Sequence, residues 1–169
     1  MNKFEKVSYE QYRKSKENIS DYSEEEIRAE YENIRLPKRA TIGSAGYDIF
    51  SPFDFILKAG KTIKFPTGIR VLLDSDKFLA IYPRSGLGYK YRVQLDNTVG
   101  IIDSDYYQSD NEGQIYIKLT NDSKEGKPVE IKAGEAIAQG IITQFFKTDD
   151  DNADGIRNGG FGSTDRKEV

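Results

Sequence analysis

Carboxylates, lysines and tyrosines are the only groups in this 169-residue chain that could move a proton, because histidine and cysteine are both absent. Those two zeros remove Ser-His-Asp and Cys-His nucleophile systems, an imidazole general base, and zinc sites built on thiolate or imidazole. Any chemistry is therefore carboxylate chemistry first. Five short segments gather the candidates.

Ser44, Ala45, Gly46, Tyr47 and Asp48 make a small-residue turn opening a strand, with Asp48 either solvated or aimed at a site. In Tyr82, Pro83, Arg84, Ser85, Gly86, Leu87 and Gly88 a strand ends at proline. Successive amide N–H groups, the Arg84 guanidinium and the Ser85 hydroxyl could then converge on one oxyanion, or the segment could simply start a helix. Asn97 to Tyr106 is an apolar run closed by Asp103, which places a carboxylate at a strand end, where apolar neighbours and other acids can tune it as a base. If that run stays extended, Asp103 and Asp105 point the same way; if it turns, they diverge. A polar hairpin tip is the alternative.

In Ala133 to Gly140 a turn precedes a buried strand, and Gln139 interrupts its apolar pattern. A buried amide is costly unless it meets a polar group or a ligand. Last come Arg157, Asn158, Gly159, Gly160, Phe161, Gly162, Ser163 and Thr164. An aromatic ring set between glycines, with hydroxyls and a cation beside it, suits a flap that closes on a ligand.

The elements that must position these segments fall into three stretches. Residues 1–35 are dense in charge, and Ser8 with Gln11 and Ser23 with Glu26 each have capping-box spacing, with Val7–Tyr12 and Tyr22–Ile27 as staple pairs. The spacing predicts two short helices, stopped before Pro37. Residues 36–147 break into β-branched and aromatic runs divided by glycine, proline and aspartate. Strands are expected at Lys61–Phe65, Ile69–Leu73, Phe78–Tyr82, Gln114–Leu119, Val129–Lys132 and Ile137–Phe146, closing as an all-β, jelly-roll-like sandwich or barrel. Residues 148–169 have the composition of a mobile arm.

With 25 basic and 28 acidic side chains the formal charge is −3, so there is no broad basic field and a duplex nucleic acid partner is not expected. No run reaches the roughly 18 to 20 apolar residues of a membrane span, and the first residues lack a signal-peptide core. A cytoplasmic protein is the expectation.

Taken in order, the five segments resemble the five motifs of the trimeric dUTPase family, from about Leu36 to Thr164 and including Pro37, Arg39, Ala40 and Thr41. The resemblance implies a β-clip, jelly-roll-like subunit, a homotrimer with active sites at subunit boundaries, and Mg²⁺-dependent hydrolysis of dUTP to dUMP and pyrophosphate. That activity keeps uracil out of DNA and supplies dUMP for thymidylate. It implies that Asp103 activates the attacking water and that Tyr106 packs on deoxyribose, leaving no room for a 2′-hydroxyl. Arg84, Ser85, Gly86 and Gln139 would hold phosphates, while Asn97 and the main chain of Gly100, Ile101, Ile102 and Asp103 would read uracil. Asp48 would meet the metal through water, Phe161 would stack on uracil, and Arg157, Gly162, Ser163 and Thr164 would close on the β and γ phosphates.

The chain departs from the family pattern in three places. Arg157 and Phe161 are four apart where the family has a longer spacing, and Asp165 stands where a small residue is usual. Tyr107 to Glu112 replace a short turn before Gly113, a loop expected to bulge outward. Residues 1–35 lie outside the resemblance and could grip a protein partner. Two alternatives remain: a dCTP deaminase of the same fold, against which the Asp103–Tyr106 run and the Gly-Phe-Gly tail speak, and a non-catalytic nucleotide-binding regulator.

Overall fold

Short alternating runs of Val, Ile, Phe and Tyr cannot bury one face alone, and here they do so by pairing antiparallel into small sheets stacked on a common core. The computed structural model describes residues 1–17, 22–157 and 159. In chain order the elements are β1 (Lys3–Lys6), α1 (Tyr9–Lys16), α2 (Glu24–Glu32), β2 (Lys38–Arg39), β3 (Tyr47–Phe50), β4 (Phe55–Leu57), β5 (Thr62–Pro66) and β6 (Ile69–Leu72). There follow β7 (Lys77–Pro83), α3 (Ser85–Tyr91), β8 (Val93–Leu95), β9 (Gly100–Asp103), a 3₁₀ turn at Ser104–Gln108, β10 (Tyr116–Asn121), β11 (Val129–Ile131) and β12 (Ala136–Gln144).

The largest sheet runs β2-β3-β12-β7-β9, and β5-β10-β8, β11-β4 and β1-β6 complete the set. Ile49, Leu79, Ile81 and Ile137 from the large sheet join Phe65, Val71, Leu95, Ile117 and Leu119 from the others in one buried cluster. This is the all-β, jelly-roll-like arrangement that the runs predict. The expected strands are present with ends shifted by a few residues. β3 opens from the Ser44–Asp48 turn and β9 ends at Asp103, as expected, while β1, β2, β4 and β8 come in addition, too short to show a period.

The two capping signals of the extension behave differently. Ser23 and Glu26 form the full reciprocal box at the start of α2. Ser8 accepts from the Gln11 amide at 3.1 Å, but its own N–H donates to the Glu112 carboxylate at 2.7 Å rather than to Gln11. Residues 3–6 are a strand rather than part of a helix, zipped to β6 with Lys3 opposite Leu72 and Lys6 opposite Ile69. Val7, Tyr12, Ile27 and Ile34 sit in the common core. Helix α1 is locked to α2 by a buried ion pair, Lys16 Nζ at 2.8 Å from Glu30 Oε1, with the Tyr22 and Phe53 rings each 4.4 Å from the ammonium. Glu30 also accepts from the Tyr12 hydroxyl.

Gly68 shows how closely the extension packs. It holds φ +71°, and a β-carbon there would lie 2.2 Å from Ile34 Cδ1 and 3.1 Å from the Tyr12 ring. Gly68→Ala is expected to cost about 1–3 kcal/mol, from left-handed strain and overpacking together. Urea unfolding measures it, and a loss below about 0.5 kcal/mol would show that the extension does not bear on the core.

The loop after Tyr106 does not bulge outward as expected. It turns in, because its polar side chains find partners there: Asn111 Nδ2 donates to the Tyr106 hydroxyl at 2.7 Å, Tyr107 donates to Glu5 at 2.6 Å, and Ser109 and Gln114 are buried.

Candidate active site

The sheet order puts β9 beside β7, with Asp103 opposite Phe78 and Gly100 opposite Ile81. Between β9 and the β5–β10 pair lies a cavity of about 510 Å³, lined by Asn97, Gly100, Ile101, Ile102, Asp103 and Tyr106 and by Ile81, Leu95, Asp96, Lys64, Tyr116, Ile117, Lys118 and Arg157. All the described residues predicted for base and sugar contacts thus meet in one place. A tight turn at Thr98 (φ +62°), with Val99 N–H donating to Asn97 O at 2.7 Å, reverses the chain at the mouth.

Asp103 ends β9 with an extended backbone (ψ 157°), and its carboxylate is half exposed at the cavity rim. The chain turns into the 3₁₀ segment just beyond it. Asp103 and Asp105 nevertheless reach one cation: the Arg157 guanidinium bonds Asp103 Oδ2 through Nη2 and lies 2.8 Å from Asp105 Oδ1 through Nε. Tyr106 is 6% exposed. Its hydroxyl donates to Gln114 O at 2.9 Å, and burial pushes its phenol above the ordinary value. A tyrosine held neutral in this way offers a firm apolar face.

The predicted phosphate residues form a second group. Arg84 precedes α3 in extended conformation, and its Nε is 3.4 Å from Asp48 Oδ1. Ser85 and Gly86, the first residues of α3, are exposed. Gln139 stands in β12 opposite Asp48 on one side and Tyr82 on the other, half-buried, and donates to Pro83 O at 3.1 Å. Gly46 is needed for that packing, since a β-carbon there would come 2.6 Å from Gln139 Oε1. The amide therefore has the polar partner its burial demands.

Within one chain Asp103 and Arg84 stand apart along β7, although Gly100, opposite Ile81, comes within one residue of the Gln139 pairing position. Asp103 lies opposite Phe78 at one end of β7, and Gln139 lies opposite Tyr82 near the other, with Arg84 just past it. Along β7 the position of Gln139 is four residues from that of Asp103, and Arg84 is six residues from it, about 13 and 20 Å at roughly 3.3 Å per residue. Phe161, Gly162, Ser163 and Thr164 lie outside the described residues.

Among the described residues no group of three or more His, Cys, Asp or Glu side chains could enclose a metal. The only carboxylate in the second group, Asp48, already faces a guanidinium. This donor set suits a cation carried largely by ligand oxygens and water rather than a protein cage. No helix among the described residues is long and apolar enough to cross a membrane.

Lys64, Tyr116 and Lys118 escaped the sequence reading. They form the far wall of the cavity from β5 and β10, with Lys64 Nζ 5.5 Å from the Tyr116 ring centroid and Lys118 Nζ 2.7 Å from Asp96. Their signal was ordinary strand alternation, which marks a face and not a ligand.

The profile of the dUTPase family matches residues 32–165. A deoxyuridine 5'-triphosphate nucleotidohydrolase of Lactococcus lactis subsp. lactis is 38% identical over 144 residues, covering 82% of this chain and 95% of that protein. The enzyme of the same name from Methylobacillus flagellatus is 40% identical over 138 residues, covering 78% and 89%. The crystal structure of dUTPase from Streptococcus mutans superposes with a TM-score of 0.63 at 31% identity, covering 86% of this chain and 98% of that one. With the family match spanning the β-rich part of the chain and relatives of this similarity covering most of its length, the chain belongs to the dUTPase family.

Proposed function

We propose that this chain hydrolyses dUTP to dUMP and pyrophosphate as a homotrimer whose sites are completed across subunits. The observation that carries the reading is the position of Asp103, whose carboxylate stands at the rim of a cavity walled by β9 main chain and Tyr106, with a guanidinium beside it. In a chain without histidine, this is a carboxylate that could serve as general base.

The Gly100–Ile102 main chain and the Asn97 side chain face the uracil edge. Cytosine presents the reversed donor and acceptor pattern there, and thymine adds a methyl group. The Tyr106 ring fills the space a 2′-hydroxyl would need, so ribose is rejected by clash. Asp103 accepts a proton from water as the water oxygen bonds the α-phosphorus and the bond from that phosphorus to the bridging oxygen breaks, releasing pyrophosphate. Attack at the α-phosphorus follows the family resemblance. Arg84 and Gln139, with Ser85 and the Gly86 amide, hold the phosphate oxygens, while Arg157 and the segment Phe161–Thr164 close over them. Mg²⁺ carried by the triphosphate would supply charge neutralisation, and Asp48 would meet it through its water shell. The placement of Asp103 and Arg84 toward opposite ends of β7 supports a site completed by a second copy.

Pyrophosphate release measured on dUTP, dCTP, dTTP and UTP tests the reading. Turnover of dUTP well above the other three is expected. Deamination of dCTP, or binding of dUTP without turnover, would replace it.

A further inference from the structure

Two features lie apart from the dUTPase motifs, the N-terminal extension and the long loop after Tyr106, and the structure brings them together. The family profile begins at residue 32, so the first 31 residues are outside it. Three side chains of that segment each hold one residue of the loop. Glu5 accepts from the Tyr107 hydroxyl at 2.6 Å and pairs with Arg70 at 3.2 Å, and the Arg70 Cζ lies 4.3 Å from the Tyr107 ring centroid. Ser8 binds the Glu112 carboxylate twice, N–H to Oε2 at 2.7 Å and hydroxyl to Oε1 at 2.5 Å. Ser15 accepts from Gln114 Nε2 at 2.5 Å, a pair in which both residues are buried.

The loop so held bonds Tyr106, which lines the cavity. Gln114 O accepts from the Tyr106 hydroxyl and Asn111 Nδ2 donates to it, at 2.9 and 2.7 Å. The turn between them is strained: Glu112 has φ +57°, and at Gly113 (φ +70°) a β-carbon would meet Tyr106 O and Tyr107 Cα at 2.7 Å. A non-glycine residue persists in the left-handed region when its surroundings impose it; here the Glu112 N–H donates to Ser109 O at 2.8 Å within the turn, and the two charge-assisted bonds from Ser8 hold its side chain from outside. Glu5 is well suited to its part, because the Tyr107 hydrogen bond, then Lys3 and Arg70, hold its carboxyl at about 2. It is ionised throughout the neutral range.

We propose that residues 3–16 are a positioning element for the deoxyribose subsite: by fixing Tyr107, Glu112 and Gln114 they hold the Tyr106 ring in place and so sharpen discrimination against ribonucleotides. This rests on the dUTP reading for the identity of the subsite. Ser8, Glu112 and Gln114 act through Tyr106 and do not touch the nucleotide.

The experiment compares dissociation constants of dUDP and UDP by calorimetry for the unaltered protein, Ser8→Ala, Glu112→Gln and the conservative Ser8→Thr. Hydrogen exchange across residues 104–114 is followed in parallel. In Ser8→Ala and Glu112→Gln the preference for dUDP over UDP is expected to fall about tenfold, the effect of losing one charge-assisted bond to a strained turn, while Ser8→Thr retains it. Faster exchange at 104–114 should accompany the loss. A preference within twofold of the unaltered protein in both variants, with or without faster exchange, would overturn the proposal and leave the segment a purely structural clamp. Failure of the unaltered protein to turn over dUTP while still preferring dUDP would defeat the catalytic reading alone, and failure to bind dUDP at all would defeat both.

Discussion

Asp103→Asn is expected to lower dUTP turnover by about a thousandfold or more while leaving nucleotide affinity within a fewfold of the unaltered protein, because the amide keeps the shape of the carboxylate and loses only its ability to accept a proton. The structure makes this a clean substitution. Asp103 caps no helix through its side chain, and its carboxylate is half exposed, so no buried network depends on it. Its ion pair with Arg157 is duplicated, since the same guanidinium reaches Asp105 at 2.8 Å. The arm that carries Arg157 therefore keeps an anchor in the variant, and lost turnover cannot be ascribed to its release. Asp105→Asn is the matching control: it removes the other anchor, keeps the proposed base, and should retain most of the rate. Single-turnover pyrophosphate release separates the two cases. Equal, small losses in both variants would mean that the carboxylates only tether the arm and that another group takes the proton.

How much of this was legible beforehand differs from element to element. β7 and β12 announced themselves, because an apolar run such as Phe78–Tyr82 or Ile137–Ile142 has no place but a buried strand. β4 and β8 did not, since three residues such as Val93, Gln94 and Leu95 carry no period. Lys3–Lys6 alternates charge with one aromatic and so resembled the helices after it; its strand state is imposed by pairing with β6, a tertiary choice invisible to local pattern. α3 runs against propensity, with two glycines in seven residues, and is held by an extended Arg84 at its start and a left-handed Arg92 (φ 55°) at its end. The candidate site was legible where motifs named it, from Asn97 to Tyr106 and at Arg84 and Gln139. Lys64, Tyr116 and Lys118 were not, because half-buried strands carry such residues everywhere. Nor could spacing reveal that the inward turn of residues 107–114 depends on partners a hundred residues upstream, such as Ser8 for Glu112.

The separation of the two groups along β7 leads to the second large effect. Arg84→Ala should itself reduce turnover by about a hundredfold, as removal of a cation that faces developing charge does. Asp103→Asn is also nearly inactive, yet the two inactive chains should rescue one another when unfolded together and reassembled. If each site takes Arg84 from one subunit and Asp103 from another, random mixing at equal amounts leaves about a quarter of the sites with both groups intact. Turnover should therefore return to roughly a quarter of the unaltered rate per site, far above the sum of the separate variants. Chains carrying different tags allow the hybrids to be isolated and their composition weighed by mass spectrometry. Should verified hybrids show no recovery, Arg84 and Asp103 would have to serve one site from the same chain, and the reading of sites shared between subunits would fall. Recovery near a quarter, by contrast, has no explanation within a single subunit, because no chain in the mixture carries both groups. The result thus tests the proposed assembly directly, because Asp103 pairs near one end of β7 and Arg84 follows the other.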